Sequence, residues 1–120
     1  MTYIKTHHEK GHSIRNQAGT ADRSCHCGTW LDHWKTYTKS PGDAKCAVEG
    51  CEQDAEVGAH VELNLVSDFK GKSFIAPMCL EHNGKHGGEF RTKPGHLLAV
   101  GNVADTCGKP PLRTVSGPAA

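Results

Sequence analysis

FIAPMCLEHNG, residues 74–84, carries an apolar run into Pro77 and then places Cys79-x-x-His82 where a helix would begin. Two more sulfurs stand upstream as Cys46-x4-Cys51, with Gly50 permitting a tight turn just ahead of Cys51. Between the two pairs, VGAHVELNLV (57–66) alternates. Val57, Ala59, Val61, Leu63 and Leu65 share one face, and Gly58, His60, Glu62 and Asn64 share the other. SDFKGK (67–72) reads as a turn and SFIAP (73–77) as a second strand. The hairpin so formed would bring both pairs to one point. Two ligands on a turn and two on the first turn of a helix can then share a tetrahedral ion, and sulfur with imidazole suits zinc. The expected site is Cys46, Cys51, Cys79 and His82.

Composition explains why such a staple is needed. The chain has 120 residues, enough for one domain, and 36% of them are hydrophobic. Ile, Leu, Val and Phe together are fewer than one residue in five, a level that signals disorder only when net charge is high. Here the net charge is +1, so a small core that needs support is the better reading. Fourteen glycines add to the entropy lost on ordering the chain. A structural zinc supplies roughly 10–16 kcal/mol of apparent binding energy, comparable to the stability of a whole small domain. The opening residues, MTYIKTHHEKGHSI, are polar and charged, unlike a signal peptide, and no apolar run approaches membrane-spanning length. A cytoplasmic location is expected, where the 6 cysteines would be metal ligands; in a secreted chain they could instead form disulfides.

Outside the hairpin, TWLDHWKTYT (29–38) predicts a helix. Trp30, Leu31, Trp34 and Tyr37 fall on one face, Thr29 can cap, and Asp32 sits in the first turn. HLLAV (96–100) predicts a last strand, whereas residues 1–23 are polar without periodicity and 108–120 read as a loose tail. Cys25-x-Cys27-Gly28 forms a second knuckle-like turn before the tryptophan helix. Cys107 could join Cys25 and Cys27 in a second zinc site, with His12 as fourth ligand and His7, His8 and His26 as competitors.

Knuckle, hairpin and a helix opening with Cys-x-x-His follow the order of a treble clef. With GAHV (58–61) on the first strand and CLEHN (79–83) at the helix start, residues 45–90 resemble the HNH, or ββα-metal, nuclease superfamily. The resemblance implies His60 as the general base that activates water and Asn83 as ligand to a catalytic divalent ion such as Mg²⁺. The acid that the family often places immediately before the strand histidine is Ala59 here, and KSFIAPM offers only Ser73 where a middle Asn is usual. A hydrolytic Mg²⁺ needs oxygen ligands, and only Glu62 and Asn64 stand on the His60 face to substitute.

The sequence thus predicts an α+β fold: a small zinc-stabilised treble-clef, or ββα-metal-like, domain over residues 1–107 with an additional N-terminal helix. The expected function is a non-catalytic nucleic-acid-binding or accessory module. The alternatives are a divalent-metal nuclease using His60, and a structural or protein-interaction zinc domain. An acidic flank at Asp43, Glu49, Glu52, Asp54 and Glu56 fits the last, and Lys70, Lys72, Lys85, Arg91 and Lys93 make the following half basic.

Overall fold

In a computed structural model, which describes residues 2–17, 28–40, 42–64, 72–85 and 88–101, the expected hairpin is the middle of a larger sheet. In chain order the elements are β1 (Tyr3–Lys5), β2 (Ser13–Asn16), α1 (Trp30–Thr38), β3 (Val57–Leu63), β4 (Phe74–Met78), α2 (Leu80–Asn83), β5 (Glu89–Arg91) and β6 (Leu97–Val100). The strands form one six-stranded antiparallel sheet in the order β1-β6-β4-β3-β2-β5. The fold is therefore a small α+β domain. Residues 65–71 of the hairpin connection, and the tail at 108–120, lie outside the described residues.

β1 and β2 sit in the stretch that showed no periodicity. Their apolar content is little more than one isoleucine each, Ile4 and Ile14, too short a run for a period-2 pattern to register. Pairing with stronger strands fixes them: Ile4 lies opposite Leu98, and Ile14 opposite both Leu63 and Phe90. Ile14 is fully buried.

The central hairpin is buried on both faces. Ala59 pairs with Ala76 and Val61 with Phe74, and these residues join Ile14, Leu63, Met78, Leu98 and Val100 in the larger core cluster. On the opposite face Ile75 and Ala99 pack with Trp34, Trp30, Leu31 and Tyr37 of α1. The polar face expected for β3 is thus covered by the helix. His60 is only 4% exposed, with Trp30 edge-on at a ring separation of 4.4 Å.

α1 starts as its sequence requires. The Thr29 hydroxyl accepts from the Asp32 N–H, and the Asp32 carboxylate accepts from the Thr29 N–H. The inward-facing stripe is Trp30, His33, Trp34 and Tyr37, spaced i, i+3, i+4 and i+7, with His33 and Trp34 buried and Trp30 and Tyr37 half-buried. The completely buried His33 sets its Nε2 2.8 Å from the Val100 carbonyl, and the Trp34 indole N–H donates to the Leu97 carbonyl at 2.9 Å.

The connectors β1–β2 (residues 6–12) and β5–β6 (92–96) run side by side. Thr6 N–H donates to His96 O and His96 N–H to the Thr6 hydroxyl, both at 2.8 Å. At the other end Thr92 N–H donates to His12 O and His12 N–H to the Thr92 hydroxyl, both at 2.9 Å. A flat sheet would hold β5 and β6 ~19 Å apart. A connector of this length reaches only ~20 Å when fully extended, and this one contains a turn at Pro94 and Gly95. The sheet therefore curls around the larger cluster, and the paired connectors form a strap across its rim.

Candidate metal centre

The knuckle at 45–54 is built before any ion is considered. Lys45 and Asp54 form a bridge at its base, backed by a 2.8 Å ion pair between their side chains. Cys46 N–H donates to Gln53 O at 2.9 Å and Cys51 N–H to Val48 O at 3.0 Å. Gly50 takes φ 81, the left-handed conformation that the turn needs and that side chains resist. Ala47 N–H donates to Pro77 O and Glu56 N–H to Met78 O, so the knuckle is fastened alongside the end of β4. Cys79 follows as the N-cap residue of α2, and His82 lies inside that single turn. The short helix agrees with the glycine-rich sequence after it.

This packing brings the four expected ligands together. The ligand atoms of Cys46, Cys51, Cys79 and His82 all lie within 4.8 Å of one another, and the group can hold a metal ion. His82 Nδ1 is 3.2 Å from Cys79 Sγ and 3.7 Å from Cys46 Sγ. A tetrahedral zinc with ordinary bond lengths would set sulfur and nitrogen ~3.6 Å apart. Cys46 and Cys79 are fully buried and Cys51 is nearly so. None of the three is in a disulfide.

Burial pushes the Cys46 thiol up to about 11; backbone N–H groups of Cys79 and Val48 oppose that shift, and the Cys79 side chain adds to it. A crowded, buried thiol keeps its proton unless a cation replaces it, so metal uptake here must release protons. Phe90 of β5, which the sequence pattern does not single out, packs edge-on against the His82 ring at 5.1 Å. Its only sequence signal is one aromatic residue in a three-residue strand. Outside the ligand shell Gln53 donates to Glu81 at 3.3 Å, tying the knuckle to α2.

The other expected residues fall elsewhere. His60 faces α1, whereas its neighbours Ala59 and Val61 belong with Cys46, Cys51 and Cys79 on the opposite face of the sheet. Asn83 ends α2, and its carbonyl accepts from Asn16 Nδ2 at 2.9 Å. Glu62 is drawn toward Arg15 at 3.8 Å and Asn64 donates to the Ser13 hydroxyl. Cys25, Cys27 and Cys107 of the second expected site lie outside the described residues. Its fourth member, His12, belongs to the strap, where its Nδ1 accepts from His7 N–H at 3.1 Å.

No helix among the described residues is long and apolar enough to cross a membrane. No family model, curated protein or solved structure matches the chain.

Proposed function

We propose that Cys46, Cys51, Cys79 and His82 hold a structural zinc ion, and that the domain is an accessory module that binds nucleic acid without cutting it. The observation that carries the zinc reading is the convergence of three sulfurs and one imidazole nitrogen within 4.8 Å. All four positions of a tetrahedral shell would come from the protein, which is the closed form of a structural site. The ion would join the knuckle to α2, two pieces with little apolar surface of their own. Knuckle, hairpin and helix support reading residues 45–90 as a degenerate relative of HNH-like treble-clef domains.

The non-catalytic reading is supported by His60. A general base must reach the water it deprotonates. Its imidazole is buried beneath Trp30 and faces away from the Cys/His cluster. Ala59 supplies no carboxylate for a divalent ion. The test is incubation of zinc-loaded protein with Mg²⁺ or Mn²⁺ and with duplex, single-stranded and branched DNA. No cleavage above background is expected. Metal-dependent cutting that disappears in His60→Ala, with zinc content retained, would make the nuclease reading correct.

A further inference from the structure

The strap concentrates positive charge in a molecule whose net charge is only +1. Its two connectors and their flanks carry Lys5, Lys10, Arg91 and Lys93, together with His7, His8, His12 and His96. Glu9 is the one acid in these segments, and Glu49 of the knuckle flanks them where its N–H donates to Arg91 O. The other acids of the knuckle region, Asp43, Glu52, Asp54 and Glu56, stand on a segment that itself pairs with the strap, Val48 bridging Thr92 and Lys93 N–H donating to Ala47 O. Among the described residues a basic strap thus lies beside an acidic knuckle.

The strap is also stiff. Gly95 N–H and Gly11 N–H both donate to His7 O, at 2.9 and 3.0 Å, the Thr6 hydroxyl donates to Lys93 O, and Arg91 donates to Lys10 O at 2.8 Å. Thr6 and Thr92 are buried inside it, while His7, His8, Lys10 and Arg91 are exposed. His7 Nδ1 accepts from the Glu9 and Lys10 N–H groups. With His12 Nδ1 also occupied as an acceptor, each neutral ring keeps its proton on Nε2 as a donor. Exposed cations and imidazole donors held on a rigid backbone suit an anionic polymer.

Tyr3 narrows the class. It is 44% exposed, one of two large apolar side chains so exposed among the described residues. It shares a face of edge strand β1 with Lys5, ~7 Å further along, and Lys5 leads directly into the strap. An exposed aromatic ring beside a track of cations is how bases are stacked while phosphates are neutralised. We infer that the strap, with Tyr3, is a binding surface for single-stranded nucleic acid. This rests on the reading of the domain as a nucleic-acid module, but it uses residues outside the 45–90 core, with Arg91 and Lys93 just past its margin.

The experiment is fluorescence anisotropy of the zinc-loaded full chain with a labelled single strand of about 15 nucleotides, titrated at several salt concentrations. Lys5→Gln/Lys10→Gln/Lys93→Gln should weaken binding at least ~10-fold and flatten the salt dependence by about 0.7 in log–log slope for each phosphate that is no longer neutralised. Tyr3→Ala should weaken it about 5- to 100-fold with the salt slope unchanged. Zinc content and far-ultraviolet circular dichroism should match the parent in each variant. Parental affinity and slope in the triple variant would overturn the surface while leaving the module reading intact. Failure of the parent chain to bind either single strand or duplex would overturn both. An unchanged Tyr3→Ala, with equal affinity for duplex, would overturn the single-strand assignment. Displacement of the strand by polyglutamate at equal charge concentration would instead point to an acidic protein partner.

Discussion

Gly58 lies directly beneath Trp30: a Cβ at Gly58 would overlap the Trp30 carbonyl carbon and stand 2.6 Å from the Leu31 nitrogen. The first turn of α1 rests on the β3 backbone there, and this close approach is what covers His60. Gly58→Ala must push the helix outward, at a cost of ~1–3 kcal/mol for overpacking. Urea unfolding should show that loss. Zinc content should stay at the parental level, because the Cys/His cluster is on the other face of the sheet.

The capping box gives a second, smaller expectation. Thr29→Ala removes the hydroxyl that accepts the Asp32 N–H and should cost ~1 kcal/mol in the same assay. Asp32 itself is held below the usual carboxylate range, first by the Thr29 backbone N–H and then by the Thr29 side chain. A depressed carboxyl stabilises the fold above its unfolded pKa of ~3.9 and loses that contribution as pH falls through its lower folded value. Asp32→Asn should therefore reduce stability at neutral pH and narrow the gap from the parent under acid conditions.

Two histidines, His33 buried and His96 half-buried, set the response at milder pH. Burial pushes His33 below the ordinary histidine range, although its contact with the Val100 carbonyl acts in the opposite direction. His96 is lowered as well, first by burial, against the Leu97 carbonyl contact, with Lys93 adding a smaller push. The unfolded chain then takes up protons before the folded one does. Their contribution is fully present above pH ~6.5 and is lost as pH falls below that value. Denaturant midpoints measured from pH ~7.5 down to ~5.5, with bound metal recorded in parallel, should decline, and His33→Gln should flatten the decline.

Much of this was legible because the signals are local. The capping box, the Trp30–Tyr37 stripe, the β3–β4 hairpin and the two ligand pairs each lie within a few residues of sequence. His33 was also legible in principle, since i, i+3, i+4, i+7 counted from Trp30 places it in the buried stripe. Its polarity hid it. β1, β2 and β5 were not legible, because three or four residues cannot show a period and their partners are distant in sequence. The covering of His60 depends on α1 crossing Gly58, a tertiary event that alternation alone cannot express. The strap likewise joins residues that lie 90 and 80 positions apart, Thr6 with His96 and His12 with Thr92.

Gly11 tests whether the strap behaves as one unit. It takes φ 66, and a Cβ there would overlap the Thr92 carbonyl oxygen and come within 2.8 Å of its hydroxyl. Gly11→Ala should raise amide hydrogen exchange at residues 6–12 and 92–96 together. The α1 amides should change less, because α1 meets the strap only at its far end, where the Trp34 ring lies 6.0 Å from that of His96.

Zinc-edge X-ray absorption of the purified full chain examines the metal centre itself. The expected spectrum has a shell of three sulfurs at ~2.3 Å and one nitrogen at ~2.0–2.1 Å, with one such ion per set of Cys46, Cys51, Cys79 and His82. Cys51→Ser should remove a sulfur from the shell or release the ion. Zinc held in a shell of nitrogen and oxygen, or a parent chain that retains no zinc after dialysis, would contradict the account.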